Sequence, residues 1–356
     1  LEKALGMKRQ ATGSVDSILA EDIADFPDQN LADSLQRIPG ITISRDGGEG
    51  RDITVRGLNS QFTKVELNGM QTQSLSAGTG GITSSRSFDF NVFASELFNS
   101  LEAHKTTSAK LEEGSLGATV KLNTGRPFNF TDDVAAFNYS QSYNQQSEES
   151  TPRASGVYSI TNDDDTFGAL FSFAYSDRNI NNAGVNSGRW RTTGNFEDCT
   201  PCTGDTPLER ADSLADTWHP RFPRMADKTQ DQQRTGLTAA FQWIPADSTL
   251  VTVDALYSNI DAQRLEPFMQ AISMARTGGT GNQQSTVTAL QVDANNTMYA
   301  GTVNNVDVRS EYFEANWDTD FTQFSIDVAH EFTDDLSMNV LVGTSKSKLN
   351  SRENTV

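Results

Sequence analysis

A pair of cysteines is the first group of residues whose types and spacing could do chemistry. Cys199 and Cys202 form a Cys-Thr-Pro-Cys motif. A zinc site would need two further ligands, and no histidine of the chain has ligand spacing to the pair. A thioredoxin-like site would need a βαβ context, which the surrounding sequence lacks. We therefore expect a small disulfide in a loop, and with it an oxidising compartment.

Motifs for catalysis are the second possibility, and the sequence offers one isolated fragment. Ser345 and Lys348 fit S-x-x-K, but the S-D-N and K-T-G partners of that motif do not accompany them. The chain also lacks H-E-x-x-H, G-x-S-x-G and the G-x-x-x-x-G-K-[ST] phosphate loop. The acidic run 163–165 is interpreted as a solvated turn. The sequence therefore predicts a protein that is not an enzyme and that needs no metal or cofactor.

Aromatic and planar polar side chains in polar segments form the third group. An aromatic ring offers a large flat apolar surface, and sugar sites combine such faces with planar polar groups. The candidate ligand-binding residues are Gln71, Gln73, Ser74, Arg86, Trp190 and Trp218. A site for a ferric siderophore would also use aromatic residues and arginines, so these residue types leave both ligand classes open.

Composition limits the class of protein that can carry these residues. The chain has 356 residues, enough for two domains, and a net charge of -19. That charge disfavours a nucleic-acid partner. No stretch approaches the ~18 apolar residues of a membrane-spanning helix, although half-apolar β-strands remain possible. Because no secretory signal is present, we expect the chain to begin inside a mature protein.

The first 130 residues predict a mixed α+β domain. Residues 17–23 and 31–38 are expected to be helical, with Asp28 or Asn30 capping the second helix. Predicted strands cover 12–15, 41–45, 53–56, 64–67, 97–104 and 118–123. We interpret the intervening glycine clusters as turns that need positive φ.

After Pro127 the apolar residues recur with a period of two. Phe167, Phe171, Phe173, Phe241, Val253 and Ile326 are apolar positions that alternate with small or polar ones. About seven strands result, each near the ~9–11 residues that a tilted strand needs to cross a bilayer. Tight turns at 162–165, 245–248 and 333–335 alternate with two segments of about fifty residues, 177–231 and 260–314, a pattern typical of outer-membrane barrels. Trp243 and Trp317 fit either aromatic girdles or cross-strand packing.

One stretch of the first domain resembles a known family. Residues 32–43 contain a short helix ending at Pro39-Gly40, Val55-Arg56-Gly57 ends a strand, and Leu67-Asn68-Gly69 ends the next. A glycine-rich strand follows at 113–120. This pattern resembles the plug domain of TonB-dependent outer-membrane receptors, in particular a proteobacterial subgroup often linked to glycan uptake.

The resemblance implies the fold of the whole chain. We expect an N-terminal α+β plug domain over residues 1–130, inside a transmembrane antiparallel β-barrel of which residues 131–356 form only the N-terminal part. Plugged barrels have about 22 strands, so seven strands cannot close one. A chain of roughly 700 residues is expected for the full protein.

The resemblance also implies a function and partners. We expect TonB-dependent active import across the bacterial outer membrane, most simply of an oligosaccharide, with a ferric siderophore or other metal chelate as the alternative. A passive porin fits less well, because a pore has no use for a plug. TonB is expected to bind a box upstream of Leu1 by β-augmentation, and a surface lipoprotein is a further candidate partner. The ligand is expected to touch both the plug-apex loop, Gln71–Arg86, and the loop that carries Trp190 and Trp218.

In the family, plug arginines pair with barrel carboxylates and lock the plug. Arg56 occupies one such motif position. Lys105 stands where the second arginine usually lies, and a lysine cannot make the bidentate fork of an arginine. We expect their barrel partners to lie beyond Val356.

Overall fold

The computed structural model describes residues 6, 8–9, 11, 13–19, 30–77, 86–109, 111–192, 217–272 and 286–356. The chain divides into two compact units. The first unit comprises Leu1–Asn179, Asp231–Gln263 and Asn316–Arg352. The second comprises Ile180–Gln230, Arg264–Ala315 and Glu353–Val356. Within the described residues no helix is long and apolar enough to cross a membrane.

The described residues in the N-terminal part of the first unit include a short helix and two small sheets. The helix α1 spans Leu31–Leu35. The strands are β1 (Val15–Leu19), β2 (Ile41–Asp46), β3 (Glu49–Val55), β4 (Thr63–Leu67), β5 (Met70–Gln71), β6 (Phe98–His104) and β7 (Ala118–Thr124). Five of them form a sheet in the order β1-β6-β7-β4-β5, and β2 pairs with β3 in an antiparallel hairpin. Single 3₁₀ turns occupy Ser60–Phe62, Phe90–Val92, Ser95–Leu97 and Pro127–Asn129.

Helix α1 begins where the sequence predicts a cap. The Asn30 side chain accepts hydrogen bonds from the backbone N–H groups of Ala32 and Asp33, at 3.0 and 3.2 Å. These bonds satisfy donors that a helix N-terminus otherwise leaves free. The helix ends before Pro39 and Gly40, and Gly40 has a φ of 83°. The second predicted helix is therefore confirmed, with Asn30 as its cap.

The first predicted helix is wrong over its described residues. Residues 17–19 belong to β1, whose register with β6 runs from Val15↔His104 to Leu19↔Ser100; residues 20–23 lie outside the described residues. The strand predicted over 12–15 likewise begins only at Val15. Val15 and Ile18 are buried in this arrangement, because pairing with a neighbouring strand outweighs weak local helix propensity.

Seven long strands follow, and they form a single sheet. They are β8 (Val134–Asn144), β9 (Glu149–Thr161), β10 (Phe167–Ser187), β13 (Pro223–Ala246), β14 (Thr249–Ala271), β17 (Val308–Thr333) and β18 (Leu336–Thr355). Neighbours in this sheet follow one another along the chain, with tight turns at the three predicted positions. The described residues thus confirm the seven strands and their up-and-down order.

The two faces of this sheet differ as the period of two predicts. Phe167, Phe171 and Ile326 are 40%, 49% and 39% exposed, and Phe173, Phe241 and Val253 are partly exposed. The alternate positions, among them Ser172, Thr238 and Ser258, are buried, and Ser258 Oγ donates to the Val92 carbonyl of the N-terminal part of the chain. Trp243 lies on the exposed face, whereas Trp317 is 4% exposed on the buried face. Trp317 therefore packs across strands and does not join a girdle.

The strands are longer than the sequence predicts. Much of the two segments expected to be loops is strand, because β10, β13, β14 and β17 have 21, 24, 23 and 26 residues. At about 3.3 Å per residue, the 24-residue β13 extends for about 80 Å, well beyond the ~30 Å hydrocarbon core of a bilayer. Polar residues continue the ladder because backbone pairing does not require apolar side chains.

Two small hairpins complete the second unit. The strands β11 (Trp190–Arg191) and β12 (His219–Pro220) pair in antiparallel fashion, as do β15 (Thr286–Val292) and β16 (Met298–Asn304).

Candidate functional site: a buried plug contact and an aromatic face

A buried carboxylate joins the N-terminal part of the first unit to the long sheet. Gly47 and Gly48, with φ of 58° and 81°, turn the chain from β2 into β3 and so position Glu49. One carboxylate oxygen of Glu49 lies 2.8 Å from Arg178 Nη1 on β10. The other accepts from Arg234 Nη2 and Gln232 Nε2 of β13, each at 2.8 Å. Glu49 and Arg234 are each at least 97% buried, so the contact excludes water.

The same arginine extends the contact to a second plug segment. Arg234 Nε donates to the Asn91 carbonyl at 2.7 Å, and Arg234 Nη2 donates to Asn91 Oδ1 at 2.6 Å. Burial alone would raise the pKa of Glu49, but the guanidinium groups of Arg234 and Arg178 outweigh burial and lower that pKa below its ordinary value. The carboxylate is therefore ionised and held from two sheet strands.

Further side-chain contacts join the N-terminal part of the first unit to the long sheet. Arg153 on β9 pairs with Glu96, and Arg126 forms a two-pronged pair with Asp254 on β14, at 2.6 and 3.3 Å. Backbone carbonyls are bound as well: Ser258 Oγ donates to Val92 O, and Gln323 Nε2 donates to Leu67 O, each at 2.7 Å. The polar face of the sheet thus binds the N-terminal part through side-chain donors and, at Asp254, through a carboxylate acceptor.

Sequence reasoning missed the residues of this contact. It treated Gly47-Gly48-Glu49 purely as a turn and assigned the lock to Arg56 and Lys105. The structure shows Arg56 Nη1 donating to Lys105 O at 2.9 Å, while Lys105 Nζ pairs with Asp16 at 2.7 Å. Their pairing with barrel carboxylates stays a prediction. Gln230, Gln232 and Arg234 alternate along β13, and this run of long polar side chains was the available signal.

In the segment predicted as the plug apex, a single arginine, Arg51, binds residues on both sides of the stretch 78–85. We call this contact the Arg51 clamp. Arg51 Nε donates to Asp89 Oδ2 at 2.7 Å, and Arg51 Nη2 donates to the Ser76 carbonyl at 3.0 Å. Ser76 and Asp89 flank the stretch 78–85, which lies outside the described residues. Burial raises the pKa of Asp89 to about 6, against the opposing effect of Arg51. One arginine therefore fixes both ends of the segment.

The predicted ligand residues of this segment differ in exposure. Gln71, Gln73 and Arg86 are exposed, whereas Ser74 is fully buried. The next residue, Leu75, donates its backbone N–H to Ser347 Oγ on β18 at 3.1 Å. Three of the four side chains are therefore accessible to a ligand.

The second unit brings the two predicted tryptophans together. Trp190 pairs with Pro220 in the β11–β12 hairpin, and Trp218 stands two residues before Pro220. Since side chains alternate along a strand, Trp190 and Trp218 lie on the same face. They are 49% and 46% exposed, while the intervening His219 is fully buried. Trp218 also exchanges backbone hydrogen bonds with Asn296 and Met298, each at 2.8 Å, which fixes its position.

One predicted feature cannot be placed. Cys199 and Cys202 lie outside the described residues, so the disulfide stays a prediction. Among the described residues, no group of three or more histidines, cysteines or carboxylates could hold a metal ion.

The fold and contacts define a class: a small α+β domain held by polar side chains of an up-and-down sheet whose other face is apolar. Comparison with known families agrees. Residues 7–119 match the family model described as the TonB-dependent Receptor Plug Domain. Residues 7–119 are therefore similar to the plug domain of TonB-dependent receptors.

Solved structures of low identity cover nearly the whole chain. A variant of the ferric enterobactin receptor PfeA of Pseudomonas aeruginosa is 12% identical, with a TM-score of 0.39, covering 98% of this chain and 60% of that one. The alcaligin outer-membrane receptor FauA of Bordetella pertussis is 15% identical, with a TM-score of 0.38, covering 98% and 57%. The ferric citrate transporter FecA, unliganded, is 14% identical, with a TM-score of 0.38, covering 98% and 61%. The chain thus spans about three fifths of each.

Proposed function

We propose that the protein imports a scarce ligand actively across the bacterial outer membrane, driven by TonB. The observation that carries the proposal is the buried Glu49 contact. A domain held by the buried Arg234 and the partly exposed Arg178 of the sheet will not leave spontaneously, because separating a buried ion pair exposes uncompensated charge. Transport past it requires energy from outside, and a TonB-driven step supplies that energy. On this account residues 1–130 are the plug and residues 131–356 the first part of the barrel.

The ligand we propose is an oligosaccharide that stacks on the tryptophan face. Trp190 and Trp218 present two indole rings on one exposed face in the second unit. The polar plug-apex residues Gln71, Gln73 and Arg86 are proposed to sense the ligand from the plug, so that binding is communicated to the Arg51 clamp. A ferric chelate is the second candidate, since arginines and aromatic rings also suit an anionic chelate.

The test is uptake by cells that produce the full-length protein, with and without a functional TonB. A panel of labelled oligosaccharides and ferric chelates is offered at submicromolar concentration, where diffusion through porins contributes little. We expect uptake of at least one ligand class, abolished when TonB is absent. Uptake that persists unchanged without TonB would overturn the proposal in favour of a passive pore. A strain without the protein controls for other routes.

A further inference from the structure

One face of the second unit concentrates arginine and phenylalanine. On β14 beyond Gln263, the residues Arg264, Glu266, Phe268 and Gln270 are buried and alternate with the exposed Pro267 and Met269. Val251 and Val253, at odd-numbered positions of the same strand, lie on the apolar face of the sheet. The even-numbered residues therefore lie on its polar face, because side chains alternate between the two faces along a strand. We call these four residues, together with Arg224 on β13 and Arg309, Glu311 and Phe313 on β17, the arginine face.

Each of two arginines on this face stacks on a phenylalanine of the next strand. The guanidinium carbon of Arg224, on β13, lies 4.7 Å from the ring centroid of Phe268 on β14. The guanidinium carbon of Arg264, on β14, lies 5.4 Å from the ring centroid of Phe313 on β17. Such stacking covers the flat side of a guanidinium and leaves its N–H groups directed sideways. The two stacks are four residues apart along β14, about 13 Å at 3.3 Å per residue.

The donors that these stacks orient are incompletely used. The Nε atoms of Arg224 and Arg264 are both buried, and neither has a hydrogen-bond partner within the described part of the chain. Arg264 also pairs with Glu266 through Nη2, which holds the group in place. A buried guanidinium N–H without an acceptor is unfavourable. Two of them on adjacent strands indicate that an acceptor is supplied from elsewhere.

The net charge of the arginine face indicates whether that acceptor is charged. The chain as a whole has a net charge of -19. On the described residues of the arginine face, however, the cations Arg224, Arg264 and Arg309 outnumber the carboxylates Glu266 and Glu311. Glu311 is already bound, because Gln270 Nε2 donates to it at 2.7 Å and Arg309 pairs with it. The remaining cationic character favours an anion over a neutral ligand.

We propose that the arginine face is a subsite for carboxylate groups of the transported ligand, with Arg224 and Arg264 as its donors. A guanidinium fork matches a planar carboxylate in two parallel hydrogen bonds. The spacing of the stacks suits a ligand with at least two carboxylates about 13 Å apart or less. An acidic oligosaccharide and a polycarboxylate iron chelate share this chemistry. The inference rests on the proposed import function and narrows its ligand class.

The test measures binding to the purified full-length protein in detergent by titration calorimetry, without TonB or a membrane. The probes are trigalacturonate, ferric citrate and the neutral cellotriose. We expect trigalacturonate or ferric citrate to bind at least tenfold more tightly than cellotriose, and the tighter of the two identifies the source of the carboxylates. Equal affinity for acidic and neutral probes, or no binding of either acidic probe, would overturn the subsite.

Variants assign the binding to the two arginines. Arg224→Gln and Arg264→Gln should each weaken binding of the acidic probe at least tenfold. Arg224→Lys and Arg264→Lys keep the charge and the fold but lose the fork, and should still weaken binding at least threefold. Arg221→Gln is the matched control, because Arg221 stacks on Phe222 at 4.3 Å but lies outside the long strands. Its affinity should not change.

The outcomes separate this inference from the proposed function. Lysine variants that bind as tightly as the wild type would exclude bidentate recognition and overturn the subsite, even if TonB-dependent uptake of another ligand is found. Conversely, arginine-dependent binding in detergent supports the subsite whether or not uptake depends on TonB. Circular dichroism and a heat-modifiability gel identify any glutamine variant that fails to fold, and the lysine variants then decide the question.

Discussion

Glu49, a residue beside a tight turn, forms the ion pairs that hold the β2–β3 hairpin to the long sheet. Two glycines with positive φ let the β2–β3 hairpin turn tightly, and the first residue after them meets two arginines of the sheet. The charges of the two partners are reversed relative to the expectation that plug arginines pair with barrel carboxylates. At this contact the plug contributes the carboxylate and the sheet contributes both arginines.

Glu49→Gln should weaken the attachment of the hairpin by about 3 kcal/mol, because it leaves the buried guanidinium group of Arg234 without a countercharge. Hydrogen exchange of the β2 and β3 amides measures the free energy of local opening. Arg45→Gln is the control, since Arg45 pairs with Asp33 at 2.8 Å with its own side chain 46% exposed, and exposed pairs contribute about 1 kcal/mol or less. Equal effects of the two substitutions would contradict a special role for Glu49.

Asp89 gives the plug a pH-dependent element. Its pKa in the folded protein is about 6, against about 3.9 for an unperturbed aspartate. The folded state therefore holds a proton that the unfolded state releases, and stability contributed by the protonated form is lost as pH rises from about 4 to 6.

Asp89→Asn should consequently gain stability relative to the wild type between pH 4 and pH 7, by about 2–3 kcal/mol at about 1.4 kcal/mol per pKa unit. Thermal unfolding of both proteins across this pH range provides the measurement. A difference in melting temperature that stays constant with pH would show that Asp89 does not titrate in this window.

At the scale of elements, regular patterns were predictable and irregular ones were not. Alternating runs such as 167–175 identified the seven strands, because a half-buried strand imposes a period of two. Asn30 identified the start of α1, because its side chain can bond the helix N-terminus. The extension of β10, β13, β14 and β17 was not predictable, since their polar segments lack any period and are strands only through pairing with neighbours.

The same limit applies to the candidate sites. Trp190 and Trp218 were chosen for their residue type, and the hairpin that places them on one face spans a stretch of 27 residues whose pairing no local pattern shows. The partners of Glu49 are 129 and 185 residues away in sequence. Contacts of that separation depend on which sheet positions meet the plug, and a single sequence contains no information on that.

The β11–β12 hairpin should bind the ligand through both indole rings. Trp190→Ala and Trp218→Ala should each weaken binding by about 1–2 kcal/mol, roughly five- to thirtyfold, through loss of a stacking contact. Calorimetry with the ligand found in the uptake screen gives the affinity, and Trp243→Ala, an exposed tryptophan near a tight turn of β13, is the control. Unchanged affinity in both variants would remove the hairpin from the site.

Glycines of the sheet make room for the plug. A Cβ added to Gly343 of β18 would lie 2.4 Å from Met70 Sδ and 2.5 Å from the Phe324 carbonyl oxygen. The methionine can move, but the backbone oxygen cannot. Gly343→Ala should therefore destabilise the protein by about 1–3 kcal/mol.

Gly184 of β10 is the matched position, because nothing lies within 4 Å of an added Cβ there. Gly184→Ala should be neutral or slightly stabilising, since alanine is less costly than glycine in a strand. Urea unfolding of the two variants compares them directly. Equal stability would mean that the sheet tolerates a side chain at position 343 and that Met70 does not pack against it closely.

At the scale of the whole molecule, the contact between the plug and the sheet must meet two opposing requirements: it must hold the plug and it must allow its release. The polar face of the sheet would be wet in an empty barrel, and the plug replaces that water with buried ion pairs and hydrogen bonds. On the proposed function, the same contacts must yield during transport. Release must also separate an apolar contact, because Phe93 of the plug packs edge-on against Phe321 of β17 with ring centroids 4.9 Å apart, and exposing such apolar surface costs free energy.

Conductance across a planar lipid bilayer tests the central claim most directly, because it needs no knowledge of the ligand. The claim is that residues 7–119 obstruct a pore formed by the strands of the full-length protein. We predict that the full-length receptor conducts almost no ions and that deletion of 7–119 produces large, steady, voltage-insensitive conductance. Glu49→Gln should fall between them, with brief openings. Equal conductance of the full-length and plug-deleted proteins would contradict the account.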